Sequence, residues 1–202
     1  MTDFTLEKGA DGVAIITWDV KGKSMNVMSL DAWPLLESLV DDALGDDAVK
    51  GIVLTSGKAD SFAGGMDLNV IATMKEQAGD DPARGLFDGI MDCHRIMRKI
   101  ERAGMDPKTL KGGKPIAAAL PGTALGIGLE LPLVCHRIFC ADNPKAKIGL
   151  PEIMVGIFPG LGGTTRLVRK MGAMTASPFL LEGKMMAPAK AKSAGLIDEV
   201  VD

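Results

Sequence analysis

The sequence predicts an α/β fold in a single domain, residues 1–202, with a largely parallel sheet. Two observations predict this fold. Strand-like apolar runs alternate with segments of helical periodicity through most of the chain, and glycine-rich turns repeatedly lead from a strand into a helix. With 202 residues, of which 47% are hydrophobic, the chain can bury a sizeable core and is not expected to be disordered.

The predicted elements follow from turn residues and from the spacing of apolar side chains. The turn at 9–12 separates two strand-like runs and is a hairpin signal. Ser29 is suited to cap a helix that carries Trp33, Leu36 and Val40 on one face. The predicted strands are 4–8, 13–18, 51–55, 115–120, 137–141, 147–150 and 196–201; the predicted helices begin at Ser29, near Asp67, at Arg84 (with Leu86, Ile90, Met97 and Ile100 buried), after the turn at 122–128, at Leu161 or Gly162, and at Pro188.

Composition and charge argue against several classes of function. The net charge is −3 and only 4% of residues are aromatic, so nucleic-acid binding is not expected. The longest apolar run, Ile116–Leu120, is too short to span a membrane, and the first residues resemble no signal peptide. Three cysteines, an odd number, argue against a disulfide framework and favour a reducing, cytoplasmic location.

Two glutamates lie in otherwise apolar segments. Glu130 ends the stretch 121–130 (PGTALGIGLE), and Glu152 follows the stretch 149–151 (GLP). Because burying a carboxylate is costly, each is expected to be paired or to take part in chemistry. Two such groups brought together could divide acid and base roles.

Three glycine-rich turns each open a helix, at 61–68, 122–130 and 159–166. Backbone N–H groups at a helix start point outward and can hold a developing oxyanion. Considered alone, the first turn is more often an ordinary strand-to-helix connection. The glycines of the third turn are better explained by tight packing, with Thr164 as the N-cap, than by shaping a wall beside Glu152.

Other chemistry-bearing motifs are missing from the sequence. A dinucleotide site requires G-x-G-x-x-G, but Leu131 stands where the third small residue belongs. No Walker sequence and no G-x-S-x-G nucleophile elbow occurs. His94, His136 and the cysteines lack metal-ligand spacing, so no metal is expected. The basic residues of 95–102 recur at helical spacing with Glu101 and are interpreted as a solvated face.

Together, these segments resemble the crotonase family of enoyl-CoA hydratases and isomerases. The resemblance is carried by 61–68 (SFAGGMDL), 124–131 (ALGIGLEL), 151–153, 159–163 and the ending 194–201, and it extends from about Phe4 to Asp202. The helical segment before Lys114 and the Cys135-His136-Arg137 context look most similar to the N-terminal hydratase part of bacterial multifunctional fatty-acid oxidation proteins. The resemblance implies a crotonase fold of repeated ββα units without the family's closing C-terminal helices.

The resemblance also implies a reaction, the hydration of 2-enoyl-CoA in fatty-acid β-oxidation, with 3,2-enoyl-CoA isomerisation as a further activity. The thioester oxygen would accept hydrogen bonds from the backbone N–H groups of Met66 and Ile127. Glu130 would deprotonate water, and Glu152 would protonate the α-carbon. The family normally has glycine at the second of these N–H positions, so Ile127 is a departure that is expected to narrow the acyl pocket.

Ligands and partners are implied in the same way. The substrate would be an acyl-CoA, with no resident cofactor, and NAD would bind only in a fused dehydrogenase domain of a longer chain. The expected partner is either that domain or further copies of the chain. The positions that the resemblance places around CoA and the acyl chain are Ser24, Asn26, Ala63, Gly64, Gly65, Asp67, Leu68, Gly126, Gly128, Pro151 and Gly160.

Two alternatives stay open. One is an isomerase, hydrolase or decarboxylase that acts on another acyl-CoA. The other is a non-catalytic CoA-binding module of a larger assembly. The presence of both glutamates favours the hydratase, whereas the missing closing helices keep the module in consideration.

Overall fold

The computed structural model, which describes residues 3–67, 70 and 80–202, contains two sheets whose strands alternate along the chain. The strands are β1 Phe4–Lys8, β2 Val13–Trp18, β3 Gly51–Ser56, β4 Ser61–Ala63, β5 Ile116–Leu120, β6 Thr123–Leu125, β7 Arg137–Ala141, β8 Ile148–Gly149, β9 Met185–Met186 and β10 Glu199–Val201. The larger sheet has the order β1-β2-β3-β5-β7-β10, and the smaller has the order β4-β6-β8-β9.

The larger sheet is parallel apart from its first hairpin, as the sequence predicts. β1 and β2 pair antiparallel with Phe4 opposite Trp18, and the remaining strands of this sheet run parallel. Alternate side chains such as Ile16 and Leu54 point into the core. The Trp18 ring stacks on Phe4 at 5.2 Å and meets Phe62 of β4 edge-on at 5.8 Å, so the aromatic cluster joins the two sheets.

The smaller sheet is built from strands of two or three residues, of which β8 lies within the predicted strand 147–150. Each of β3, β5 and β7 is followed directly by a short strand of the smaller sheet, β4, β6 and β8 respectively, and strand–strand–helix units therefore repeat. This arrangement confirms the expected ββα architecture. Strands of two or three residues carry too little apolar periodicity to be recognised from sequence, which is why β4 and β6 were not predicted.

The helices depart from prediction at two places. The first begins after Asp31, so Ser29 as its N-cap is wrong, and the helix predicted near Asp67 lies largely outside the described residues. Ala173–Leu181 was not predicted because Pro178 lies in its interior, where proline usually breaks a helix. The helices are Ala32–Gly45, Pro82–Arg102, Ile127–Glu130, Gly163–Met171, Ala173–Leu181 and Pro188–Ser193, with 3-10 turns at Pro132–Val134 and Glu152–Val155.

The Pro82–Arg102 helix packs on the core through its C-terminal half. Of the predicted buried stripe, Met97 and Ile100 are buried, whereas Leu86 is half-buried and Ile90 is exposed. Cys93 and Ile96 complete the buried face. Among the described residues, no helix is both long enough and apolar enough to cross a membrane.

The turn between β5 and β6 packs tightly against the backbone of the segment before β4. A Cβ atom added at Gly122 would lie 2.0 Å from the carbonyl oxygen of Asp60. The same oxygen accepts a hydrogen bond from the N–H of Thr123 at 3.1 Å. A side chain at position 122 therefore forces apart backbone that holds β4 and β6 together.

We expect Gly122→Ala to lower the free energy of unfolding by about 2 kcal/mol or more, because backbone rather than a flexible side chain must move. The matched control is Gly89→Ala in the Pro82–Arg102 helix, where nothing lies within 4 Å of an added Cβ. That change should raise stability by up to about 1 kcal/mol. Urea denaturation measures both variants, and equal effects would contradict the steric argument.

Candidate active site

Three parallel strands of the smaller sheet end at one edge. β4 pairs with β6, and β6 pairs with β8. Because the carboxyl ends of neighbouring parallel strands lie at the same edge, the segments that follow them, 64–67, 126–130 and 150–155, lie side by side. Segments that are far apart in the sequence are thereby brought to one edge of the sheet. Neighbouring strands there lie about 5 Å apart.

The first turn presents the backbone N–H of Met66. Gly65 adopts a φ of 117°, a conformation that side-chain-bearing residues rarely take. The N–H of Met28 donates to the Gly65 carbonyl at 2.9 Å, and the N–H of Asp67 donates to the Met28 carbonyl at 3.1 Å. These two bonds fix the backbone on both sides of Met66, whose own N–H donates to no acceptor within the described residues.

The second turn presents the N–H of Ile127. Gly126 has a φ of 57°, and a Cβ added to it would lie 3.6 Å from the Cα of Gly65 and 3.3 Å from Oε1 of Glu152. The two turns are therefore in contact, with Glu152 against the second. As the first residue of a helix, Ile127 has an N–H with no intrahelical acceptor. Its side chain belongs to the core, and its expected narrowing of an acyl pocket stays a prediction.

Glu130 is almost completely buried, with 3% of its surface exposed. Its Oε1 accepts hydrogen bonds from the backbone N–H groups of Leu161 at 2.9 Å and Gly163 at 2.8 Å. Burial raises the pKa of Glu130 to about 7, and the charge of Glu152 acts in the same direction; the two N–H groups and the positive charge of Arg166 oppose it. This carboxyl therefore changes protonation near neutral pH, where general acid–base catalysis is most effective.

Glu152 has a different environment. It begins the 3-10 turn Glu152–Val155 after β8, and burial raises its pKa. Its Oε2 atom is buried and has no hydrogen-bond partner among the described residues. An unpartnered buried oxygen makes the anion of Glu152 less favourable, which raises its pKa, whereas Glu130 has two N–H donors that stabilise its carboxylate.

Asn26, expected to contact CoA, faces inward instead. It is fully buried, and its Nδ2 donates to the carbonyls of Trp18 and Phe62 and to Oγ of Ser56, all within 3.0 Å. Its Oδ1 accepts from the N–H of Val20 at 2.9 Å. The side chain of Asn26 therefore joins β2 and β3 to β4 through its Nδ2 atom, and its contact with CoA stays a prediction.

Several other expected ligand positions are explained by packing. A Cβ at Gly128 would lie 2.6 Å from the carbonyl oxygen of the buried Ala63, so this glycine lets the short helix approach β4. Asp67 forms an ion pair with Lys23 at 3.1 Å. Ser24 is exposed and lines a cleft of about 810 Å³. Gly64 is exposed, whereas Pro151 and Gly160 are half-buried beside the site. Leu68 lies outside the described residues.

The groups that hold Glu130 in place were not found from the sequence. Gly162, not Thr164, stands at the N-cap of the Gly163–Met171 helix. Arg166 pairs with Glu101 at 3.0 Å, a contact that the helical spacing of the 95–102 segment does not predict. The two residues are 65 positions apart, and no local pattern could indicate their contact.

Comparison with known proteins agrees with this fold. A family model described as enoyl-CoA hydratase/isomerase matches residues 106–202. The fatty acid oxidation complex subunit alpha of Shewanella baltica is 37% identical over 198 residues, which cover 98% of this chain and 26% of that protein. The same subunit of Shewanella oneidensis is 36% identical with the same coverage. The chain thus spans about a quarter of the length of the curated relatives it matches.

Solved structures share the fold. An enoyl-CoA hydratase from Thermoplasma volcanium superimposes with a TM-score of 0.83 at 27% identity, covering 100% of this chain and 73% of the other. An enoyl-CoA hydratase from Bacillus anthracis gives a TM-score of 0.80 at 26% identity, covering 99% and 70%.

The raised pKa of Glu130 predicts a pH-dependent stability. Its folded pKa of about 7 lies above the ordinary value of 4.5, so its contribution is fully present below pH 4.5 and is lost as the pH rises through 7. We expect the stability of the wild type, measured against Glu130→Gln by urea denaturation, to fall by about 3 kcal/mol over that range. The exposed Glu182→Gln is the control, and a pH-independent difference between wild type and Glu130→Gln would contradict the burial argument.

Proposed function

Because this chain belongs to the enoyl-CoA hydratase/isomerase family, we propose that it adds water across the 2,3 double bond of a 2-enoyl-CoA, as one part of a multifunctional enzyme of fatty-acid β-oxidation. The observation that supports this most strongly is the pairing of a buried carboxyl, Glu130, with a half-buried one, Glu152, beside two available backbone N–H groups. Residues 1–202 would act as one domain, with the thioester of CoA as the substrate.

The N–H groups of Met66 and Ile127 are proposed to bind the thioester oxygen. Addition of water to C3 places negative charge on that oxygen as an enolate forms. Fixed donors lower the energy of such charge without having to reorganise, and removing one donor from a comparable site costs about a hundredfold to a thousandfold in rate. The positive φ values of Gly65 and Gly126, which precede the two donors, are what turn these N–H groups out of regular pairing.

Glu130 is proposed as the general base. Its carboxylate takes a proton from water, and the water oxygen forms a bond to C3 while the π electrons of the double bond move toward the thioester. The two N–H groups on Oε1 leave Oε2 of Glu130 as the atom for the proton. A pKa near 7 gives this base both a populated anion and useful basicity at neutral pH.

Glu152 is proposed as the general acid. Its O–H delivers a proton to C2, which completes the alcohol and leaves the Glu152 carboxylate. Between turnovers, Glu130 gives up the proton it gained and Glu152 regains the proton it lost, both by exchange with solvent. The absence of a partner for Oε2 of Glu152 among the described residues supports this role, because a carboxyl whose pKa is raised by burial keeps its proton to a higher pH than a solvated one.

A 3,2-isomerase activity is the second candidate, and the position of Glu152 against the turn that presents the Ile127 N–H favours it. Moving the double bond from C3–C4 to C2–C3 requires a group that takes a proton from C2 and returns a proton to C4. Glu152 alone can perform both transfers, without water and without Glu130. The two activities are therefore separable by substitution.

Further expectations belong to the same proposal. The chain itself would need no resident cofactor, and NAD would bind only in a dehydrogenase domain of a longer protein. The partner would be that domain or other copies of the chain, and the location would be the cytoplasm, in keeping with three unpaired cysteines.

We expect Glu152→Gln to lower the hydration of crotonyl-CoA by about two to four orders of magnitude, because the general acid is lost. Glu130→Gln should lower hydration as strongly but retain a larger share of 3-enoyl-CoA isomerisation. Loss of enoyl-thioester absorbance measures hydration, and Glu182→Gln serves as a control with an exposed glutamate. Glu152→Gln with more than about a tenth of wild-type turnover would remove Glu152 from this role. No turnover by the wild type, together with binding of CoA esters, would favour the non-catalytic module instead.

A further inference from the structure

The loop that holds Glu130 depends on one arginine. Leu161 donates its N–H to Oε1 of Glu130 at 2.9 Å, and the carbonyl of the same Leu161 accepts from Nη1 of Arg166 at 3.1 Å. Arg166 lies one turn into the helix that Gly163 begins, and the N–H of Gly163 is the second donor to Glu130. Both donors to Glu130 therefore belong to the 161–163 loop, and the Arg166 side chain is hydrogen-bonded to the backbone of that loop.

The guanidinium of Arg166 is itself fixed by Glu101. Nε donates to Oε1 of Glu101 at 3.0 Å and Nη2 donates to Oε2 at 3.2 Å, a two-bond arrangement that sets the plane of the guanidinium. Only 13% of the Arg166 side chain is exposed. Glu101 comes from the Pro82–Arg102 helix and also accepts a hydrogen bond from Arg98.

Gly162 fits the same arrangement. It has a φ of 95°, and a Cβ at this position would lie 2.1 Å from Nη1 of Arg166. The loop is therefore folded directly over the guanidinium, and no side chain can stand between them. This contact, together with the positive φ, explains why a glycine stands at position 162.

We propose that Arg166, oriented by Glu101, is a positioning residue that fixes the 161–163 loop and, through it, the carboxylate of Glu130. The inference rests on the proposed function for the catalytic meaning of Glu130, but the positioning itself does not require any substrate. Arg166 acts through the loop and is not a group that touches the reacting atoms.

Electrostatics supports the proposal. The charged groups that act on Glu130 are Glu152, which raises its pKa, and Arg166, which lowers it. Glu101 lies behind Arg166 and partly offsets its charge. Removing Arg166 should therefore raise the pKa of Glu130, whereas removing the charge of Glu101 should leave it unchanged or lower it. A merely structural role would not make these two substitutions act differently on the pKa of Glu130.

The test compares Arg166→Gln, Arg166→Lys and Glu101→Gln with Arg95→Gln as the matched control. Arg95 forms a similar two-bond ion pair from the same helix, but with Glu37, which does not contact the loop. The pKa of Glu130 is measured without substrate by titrating ¹³C-labelled glutamate carboxyls in NMR, with the Glu130 signal assigned by its loss in Glu130→Gln.

We expect Arg166→Gln to raise the pKa of Glu130 by about one unit or more, since an opposite charge nearby is lost. Glu101→Gln should not raise it, and Arg95→Gln should leave it unchanged. In crotonyl-CoA hydration, the acidic limb of kcat/KM should move by the same amount. Arg166→Lys keeps the charge but loses the paired bonds that fix the loop, so kcat should fall about tenfold and the pKa of Glu130 should rise by less than in Arg166→Gln.

A folded Arg166→Gln with an unchanged Glu130 titration would overturn the proposal. If that variant does not fold, Arg166→Lys decides: wild-type kcat together with a wild-type titration would overturn it equally. Because the titration uses no substrate, a wild type without hydratase activity would refute the proposed function and leave this test standing.

Discussion

The burial of one carboxyl group, that of Glu130, is the constraint on which the rest of the site depends. A carboxylate taken out of water is unfavourable unless donors replace its hydration. Here the replacements are two backbone N–H groups, from Leu161 and Gly163, that converge on one oxygen. They compensate in part, since the pKa still stands at about 7. Incomplete compensation keeps this group available for proton transfer instead of locking it as an anion.

The two-sheet architecture makes that burial possible. Parallel pairing of β4, β6 and β8 brings the ends of three strands to one edge, so two N–H groups and two glutamates from distant parts of the sequence become neighbours. Glycine is required where these segments touch: at Gly128 against Ala63, and at Gly126 against Glu152. Asn26 then joins the larger sheet to the smaller through buried hydrogen bonds, so the frame around the site is stabilised by a residue that faces away from it.

The sequence was sufficient for the overall architecture and for the motifs, but not for the groups that support them. The parallel sheet, the hairpin and both glutamates follow from periodicity and from glycine-rich turns. The short strands β4 and β6 do not, because three residues carry no periodic signal. Asn26 looks like a ligand contact in a loop, and its burial depends on tertiary packing. The ion pair between Glu101 and Arg166 cannot be predicted from the sequence for the same reason, since a contact between side chains 65 positions apart leaves no local pattern.

The central claim is that a thioester binds with its oxygen between the N–H groups of Met66 and Ile127, and with its C2 and C3 atoms between the two glutamates. The most direct measurement is a crystal structure of the chain with butyryl-CoA, which lacks the double bond and cannot react. The account predicts a thioester oxygen within about 3 Å of both nitrogens, with Glu130 on the C3 side and Glu152 on the C2 side. A thioester bound elsewhere, with both N–H groups left unoccupied, would contradict it.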